Sequence, residues 1–132
     1  HVIGARTFPA ELHFVHVRED GKIAVLGVLL EIGKDNSVFQ TILENTPHQG
    51  GELKQDSGVW LSIASLLPEK RDAYYTLAGS LTTPPCSEGV DWYVLTDTTK
   101  ISEAQLGQLK SFFSGNARLP QELNNRTVAK KK

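Results

Sequence analysis

The sequence predicts a mainly β fold of the α+β class, with strands outnumbering two helices. Several segments alternate with the two-residue period of a strand, whereas only two segments repeat their apolar residues at helical spacing. A chain of 132 residues has room for one domain. A net charge of −1 with 39% hydrophobic residues is typical of globular proteins, which argues against a disordered or nucleic-acid-binding chain. No apolar run reaches the roughly 18–20 residues of a membrane span.

The first two strands are predicted to form a hairpin. Residues Ala10–Val17 alternate, so His13 and His16 lie on opposite faces and cannot easily bind the same metal ion. Asp20-Gly21 is a strong turn signal. Ile23–Leu30 is apolar on both faces, which predicts a strand in the centre of a sheet.

A helix and a loop are predicted next. Gly33–Ser37 supplies turn and cap residues for a helix from Val38 to Asn45, and Thr46-Pro47 ends that helix. His48 begins a polar loop, where we expect it to be solvated. Val59–Leu67 is apolar and stops at a proline, which favours a short helix or a turn.

The remaining elements are two strands and a second helix. Aromatic and β-branched residues predict strands at Tyr74–Leu77 and Val90–Thr96. In the later strand, alternation places Trp92 on the same face as its valine neighbours. Ser102–Gln105 has the form of a capping box and predicts a helix to about Phe113, which Gly115 terminates. The final lysines, 130–132, are expected to form a solvated tail.

Glu11 and His13 form the first candidate constellation. They lie two residues apart on one face of a strand, and a carboxylate near an imidazole can fix its tautomer and raise the basicity of its other nitrogen. A structural histidine with a salt-bridged neighbour explains the same spacing. His1 begins the chain, where fraying is the default.

The second constellation is the segment Leu81–Pro85. Pro84 restricts Thr83 to extended conformations, so the hydroxyl and N–H groups of Thr82 and Thr83 are held in place and could bind an anion. A rigid turn between two strands explains the same residues. The single cysteine, Cys86, is either a free thiol or half of a bond to another segment. No dedicated base or orienting partner lies near it in sequence, which argues against a nucleophilic thiol.

Four blocks of sequence are distinctive when taken together: AELHFVH (Ala10–His16), GKIAVLGVLLEIG (Gly21–Gly33), GSLTTPPCSEGVDWYVL (Gly79–Leu95) and NARLPQELNNR (Asn116–Arg126). In this order and at these separations they resemble one family, the α-class carbonic anhydrases. The resemblance extends from His1 to about Arg126, yet it spans only about the C-terminal three-fifths of that family's usual domain. It implies a large, twisted, mostly antiparallel sheet with short peripheral helices, from which the N-terminal strands are absent, so that residues 1–132 form a single partial domain.

The resemblance implies zinc-dependent, reversible hydration of CO2 to bicarbonate and a proton. His13 matches the third of the family's three zinc ligands, and Glu11 matches the carboxylate that orients it. Thr82 matches the threonine that aims the nucleophile at the substrate, and Thr83 matches the neighbour that tunes that contact. The residues that match the apolar wall around CO2 are Val15, Val25, Leu81, Val90 and Trp92.

The same resemblance predicts what this chain needs from elsewhere. In the family, the other two ligands come from a His-x-His strand that would precede His1, so we expect a site for one Zn²⁺ with two of its three protein ligands missing here. An N-terminal segment of the same enzyme is the expected partner, and the isolated chain is predicted to be inactive. A homo-oligomer could cover exposed sheet edges, but it could not supply those histidines.

Cys86 matches a cysteine that bonds to the N-terminal region in secreted and periplasmic members of the family. The resemblance therefore implies a disulfide to the absent segment and a periplasmic, secreted or organelle-lumen location. Two other hypotheses remain open at this point. One is a metal-free, carbonic-anhydrase-like binding or structural module, and the other is a sugar- or anion-binding β domain.

Overall fold

The computed structural model describes residues 1–47, 58–113 and 115–132. It contains one six-stranded mixed sheet with two helices, in which the strands lie in the order β1-β2-β4-β3-β6 and β5 pairs with β2. A mainly β fold with peripheral helices is therefore confirmed. The elements are β1 (Ala10–Val17), β2 (Ile23–Ile32), α1 (Ser37–Asn45), a short 3-10 helix (Ile63–Leu66), β3 (Tyr74–Ser80), β4 (Glu88–Leu95), β5 (Thr99–Ile101), α2 (Glu103–Phe112) and β6 (Ala129–Lys131).

Strand β2 is the centre of the sheet, as its continuous apolar sequence predicts. It pairs antiparallel with β1 through the turn at Arg18–Lys22, and parallel with both β4 and β5. Strand β3 then pairs antiparallel with β4 and β6. Three of these five pairings are antiparallel, in agreement with the expected mostly antiparallel sheet.

Alternation along the strands gives the sheet two different faces. Leu12 and Phe14 of β1 pack against the cluster beneath the helices, whereas His13 and Val15 project from the opposite face into a pocket. Packing on the helix-covered face is built around Leu30, Phe39, Leu43, Leu66 and Ile101. The core of the pocket face is built around Val25, Leu29, Val90, Trp92 and Val94.

Both helices begin where the sequence predicts. Asn36 caps α1, its side chain accepting a hydrogen bond from the N–H of Phe39 at 2.9 Å. The capping box of α2 is formed by Ser102 and Gln105, and Gly115 beyond its end has a left-handed φ of 63°. The short 3-10 helix falls within the segment predicted as a helix or turn, whereas His48 lies outside the described residues.

Gln105 joins the beginnings of the two helices. Its side chain is only 3% exposed, and its oxygen accepts hydrogen bonds from the N–H groups of Asn36 (3.0 Å) and Ser102 (3.2 Å). Its amide nitrogen donates to the carbonyl oxygen of Asn36 at 2.8 Å. One buried amide thus satisfies backbone groups at both helix N-termini, which fixes α1 against α2.

We expect Gln105→Ala to lower the free energy of unfolding by about 2 kcal/mol, because it leaves buried backbone donors without acceptors. Chemical denaturation of the protein measures this loss. Gln121→Ala is the matched control, since Gln121 is exposed and, within the described residues, its side chain donates to the carbonyl oxygen of Leu119 alone. Equal free energies of unfolding in the two variants would contradict the role of Gln105 in fixing α1 against α2.

Two short strands were not predicted, and one of them corrects an expectation. The final lysines are exposed, as expected, but Lys130 and Lys131 do not belong to a free tail, because Ala129–Lys131 forms β6 and pairs with Thr76 to Tyr74 of β3. Lys130 also places its ammonium 5.5 Å from the ring centre of Tyr75. Of the described helices, neither combines the length and apolar character that crossing a bilayer requires.

Candidate metal centre

His13 and Glu11 meet on the pocket face of β1. The Nε2 atom of His13 lies 3.3 Å from Oε1 of Glu11, whose side chain is only 10% exposed. Gly27 lies opposite His13 in the register, and a Cβ atom there would come within 2.5 Å of the Glu11 carboxylate. The absence of a side chain on β2 at this point therefore makes room for the Glu11–His13 pair.

The expectation that His1 would be frayed is wrong. Its Nδ1 atom lies 2.7 Å from Oε1 of Glu11, and its ring contacts that of Trp92 edge-on at 4.7 Å between centroids. Polar contacts with Glu11 and packing against the indole hold the residue on the pocket face, which a rule based on chain position does not anticipate. Trp92 also contacts His13 edge-on at 4.8 Å, so the two imidazoles flank one indole.

The surroundings of Glu11 keep it ionised. Burial raises the pKa of its carboxyl, but the hydrogen bond from His13, together with that from the free amino group that His1 carries when the chain begins at this residue, leaves the pKa below its usual value. A carboxylate accepts hydrogen bonds and cannot donate them, so the His13 nitrogen facing it is the protonated one. The lone pair of His13 is then on Nδ1.

The structure offers one ring nitrogen of His13 for a metal. His1, Glu11 and His13 have potential ligand atoms within 4.8 Å of one another. Oε1 of Glu11 already contacts both imidazoles, and Oε2 binds the amino group of His1. Glu11 therefore fits the role of a support. A lone pair on Nδ1 of an imidazole, with Nε2 held by a carboxylate, suits the donor chemistry of Zn²⁺.

The threonine segment forms a closed loop between β3 and β4. The N–H of Leu81 donates to the carbonyl oxygen of Ser87 at 2.9 Å. The N–H of Cys86 donates to the carbonyl oxygen of Thr83, also at 2.9 Å. The Pro84–Pro85 peptide bond is cis, and Cys86 has a left-handed φ of 58°. The two backbone hydrogen bonds hold Thr82 and Thr83 in a compact turn.

The threonine loop and His13 share one pocket of about 210 Å³. Glu11 lies behind His13 as its support, and Val90 is fully buried in the core beside Trp92 without lining the pocket. The structure thus brings together residues from β1, β2, β4 and the loop, which are far apart in sequence. The lining residues are His13, Val15, Val25, Leu81, Thr82, Thr83 and Trp92.

His16 lies on the other face of β1, as the alternation predicts. Its Nδ1 atom is 2.9 Å from the carbonyl oxygen of Phe14, and it lines a separate cleft with Lys22 and Asp91. Lys22 and Asp91 form an ion pair at 2.9 Å. His16 is therefore separated from the His13 pocket by the sheet.

Sequence and structure comparisons agree on the family. A family model described as eukaryotic-type carbonic anhydrase matches residues 1–132. A carbonic anhydrase of Neisseria gonorrhoeae is 44% identical over 127 residues, which cover 96% of this chain and 49% of the relative. The chain spans about half the length of the curated relatives it matches.

Two solved structures show the same fold. A hyperthermostable carbonic anhydrase from a hydrothermal vent chimney matches with a TM-score of 0.90 at 38% identity, covering 98% of this chain and 57% of that one. The α-carbonic anhydrase of Thermovibrio ammonificans, solved with the inhibitor sulfanilamide, matches with a TM-score of 0.82 at 42% identity, covering 89% and 52%. The chain therefore belongs to the eukaryotic-type carbonic anhydrase family.

Proposed function

We propose that this chain forms the C-terminal part of a zinc-dependent carbonic anhydrase that interconverts CO2 and bicarbonate. The observation that supports the proposal most directly is the shared pocket of His13 and Thr82, with Glu11 behind the imidazole. This arrangement juxtaposes a metal-ligand nitrogen, a hydroxyl group and an apolar wall. Those three features suit the hydration of a small apolar gas.

The chain's own residues have distinct parts in this proposal. Glu11 holds the proton on Nε2 of His13, so Nδ1 remains free to bind Zn²⁺. When bound, zinc supplies a water molecule with a pKa lowered toward about 7, which gives a nucleophile near neutral pH. The Thr82 hydroxyl orients that nucleophile, and Thr83 adjusts the contact. Val15, Val25, Leu81 and Trp92 offer CO2 an apolar surface.

We further propose that residues 1–132 are a partial domain completed by an N-terminal segment. Among the described residues, His13 is the only histidine that lines the pocket. One imidazole gives too few ligands, because zinc sites of this kind need three from the protein. Within the described residues, the outer edge of β1 has no partner strand, and Val15 and Val17 are more than half exposed. A strand added at that edge would bring new side chains beside His13.

The rival hypothesis, a metal-free binding or structural module, is favoured by the same shortage of ligands. The module hypothesis does not explain why Glu11 holds the proton of His13 on Nε2 and leaves the lone pair of Nδ1 directed away from Glu11. A metal site uses that lone pair, whereas a metal-free module has no use for it. The two hypotheses differ in metal content. The first is therefore testable without any assumption about rate.

The deciding experiment uses the full-length protein and residues 1–132 side by side. We expect about one zinc per full-length chain by elemental analysis, and CO2 hydration in stopped flow that a chelator abolishes. The 1–132 chain is expected to show neither property. A full-length protein that folds but binds no zinc would contradict the catalytic proposal and favour the module.

Thr82→Val tests the hydroxyl separately from the metal. Valine preserves the shape of threonine, so we expect normal zinc content but a fall in kcat/KM for CO2 of about a hundredfold, the usual loss when an aligned polar group is removed. Thr82→Ser retains the hydroxyl and should retain most of the activity. A Thr82→Val variant as active as the unmodified protein would exclude an orienting role.

We also propose that Cys86 forms a disulfide with the N-terminal segment in an oxidising compartment, either the periplasm, the extracellular space or an organelle lumen. Its thiol is half-buried and forms no disulfide within these 132 residues, of which Cys86 is the single cysteine, and it lies on the loop that contains the threonines. Peptide mapping of the full-length protein without reductant should recover Cys86 linked to an upstream cysteine. Recovery of Cys86 solely as a free thiol would refute the pairing.

A further inference from the structure

Two arginines of the C-terminal loop reach the end of β3 beside the pocket. Arg118 donates from NH1 to the hydroxyl oxygen of Ser80 at 3.0 Å. Arg126 donates from NH1 to the carbonyl oxygen of Ala78, also at 3.0 Å, and its other donors bind carbonyls of its own loop. Of these two arginines, Arg118 is therefore the one that bonds to Ser80, the residue next to Leu81.

Ser80 links Arg118 by hydrogen bonds to the loop that contains Thr82 and Thr83. Its hydroxyl accepts from Arg118 and donates to the carbonyl oxygen of Leu81 at 3.0 Å. The carbonyl oxygen of Ser80 in turn accepts from the indole N–H of Trp92 at 3.0 Å. A hydroxyl with one donor and one acceptor partner has a fixed proton direction, so Arg118 determines which way Ser80 donates.

The bond from Ser80 sets the orientation of one peptide group. The carbonyl of Leu81 and the N–H of Thr82 belong to the same trans peptide plane, so fixing the carbonyl also fixes the direction of the N–H. Leu81 and Thr82 both line the pocket. Within the described residues, the Thr82 N–H has no protein acceptor, whereas the Leu81 N–H is bonded to Ser87.

We propose that Arg118 is a positioning residue that acts through Ser80 to hold the Thr82 N–H as a donor to an anion in the pocket. The inference rests on the proposed function, because bicarbonate is the anion expected there. Arg118 itself touches no reacting group. Removing the Arg118 guanidinium should therefore change the affinity for anions and the chemical shift of the Thr82 amide, with little effect on zinc content.

The test compares Ser80→Ala, Arg118→Gln and Arg118→Lys in the zinc-loaded full-length protein, with Arg126→Gln as the matched control from the same loop. Bicarbonate affinity and the chemical shift of the Thr82 amide are measured by NMR. Ser80→Ala and Arg118→Gln should shift the free amide resonance and weaken bicarbonate binding about three- to tenfold, the effect of losing one hydrogen bond. Arg118→Lys should restore part of both.

Arg126→Gln should lower the melting temperature but change bicarbonate affinity less than about twofold, because its bonds do not reach Leu81. If Ser80→Ala and Arg118→Gln have the same bicarbonate affinity and the same Thr82 amide chemical shift as Arg126→Gln, the positioning role of Arg118 is refuted. Hydration by the unmodified protein is measured in parallel. If the unmodified protein is active and the chemical shift of the Thr82 amide is the same in the variants, the positioning role of Arg118 is refuted and the proposed function is not. If the unmodified protein is inactive but the Thr82 amide resonance still shifts in the variants, the proposed hydration activity is refuted and the positioning role of Arg118 is supported.

Discussion

Replacing His13 with alanine in the full-length protein is expected to weaken zinc binding by about two to three orders of magnitude. Structural zinc sites with four ligands have apparent binding free energies of about 10–16 kcal/mol, or roughly 2.5–4 kcal/mol for each ligand. Hydration activity should fall with metal content at limiting zinc. Competition with a chelator of known affinity, followed by elemental analysis, measures the change.

His16→Ala is the control for this experiment. His16 is the same residue type on the same strand but lies on the opposite face, so its loss should leave zinc affinity unchanged. Glu11→Gln is expected to fall between the two, with a loss of about 10- to 100-fold, because it removes the carboxylate that orients the imidazole. Unaltered zinc affinity in His13→Ala would exclude His13 as a ligand.

Replacing Trp92 with alanine is expected to cost about 3–5 kcal/mol of unfolding free energy, the range for removing a large buried aromatic side chain. Trp92 is 3% exposed, belongs to the core of the pocket face and donates to Ser80. It also supports both imidazoles edge-on. The variant should therefore lose the shape of the pocket as well as stability, which denaturant titration and zinc affinity report separately.

Trp60 provides a matched control because it is the only other tryptophan and is 97% exposed. Trp60→Ala should change the unfolding free energy by no more than about 0.5 kcal/mol. Fluorescence gives a second readout: Trp60→Ala retains the buried indole and should show the bluer emission of the two variants. A greater loss of stability in Trp60→Ala than in Trp92→Ala would contradict the described core.

Periodicity was sufficient for the larger elements. Strand β2 is apolar on both faces because it is buried between neighbours, and that pattern predicted its central position. The side chains at Ser102 and Gln105 that cap α2 are local, so the sequence also shows where this helix begins. Two-residue alternation likewise predicts that His13 and His16 lie on opposite faces of β1.

Other features depend on long-range contacts and leave no local pattern. Strands β5 and β6 have only three residues each, which is too short for a recognisable period, and the lysines of β6 resemble a solvated tail because edge strands tolerate charge. The place of His1 depends on Glu11 and Trp92. The common pocket of His13 and Thr82 requires β2 to pair in parallel with β4, which spacing alone does not reveal.

The helices and the pocket lie on opposite sides of the same sheet, and this arrangement has a practical consequence for protein engineering. Substitutions that improve thermostability can be made in α1, α2 and the apolar layer beneath them without altering any side chain that lines the pocket. Redesign of substrate or inhibitor preference can conversely be confined to the other side. The two properties can therefore be optimised in separate libraries and then combined.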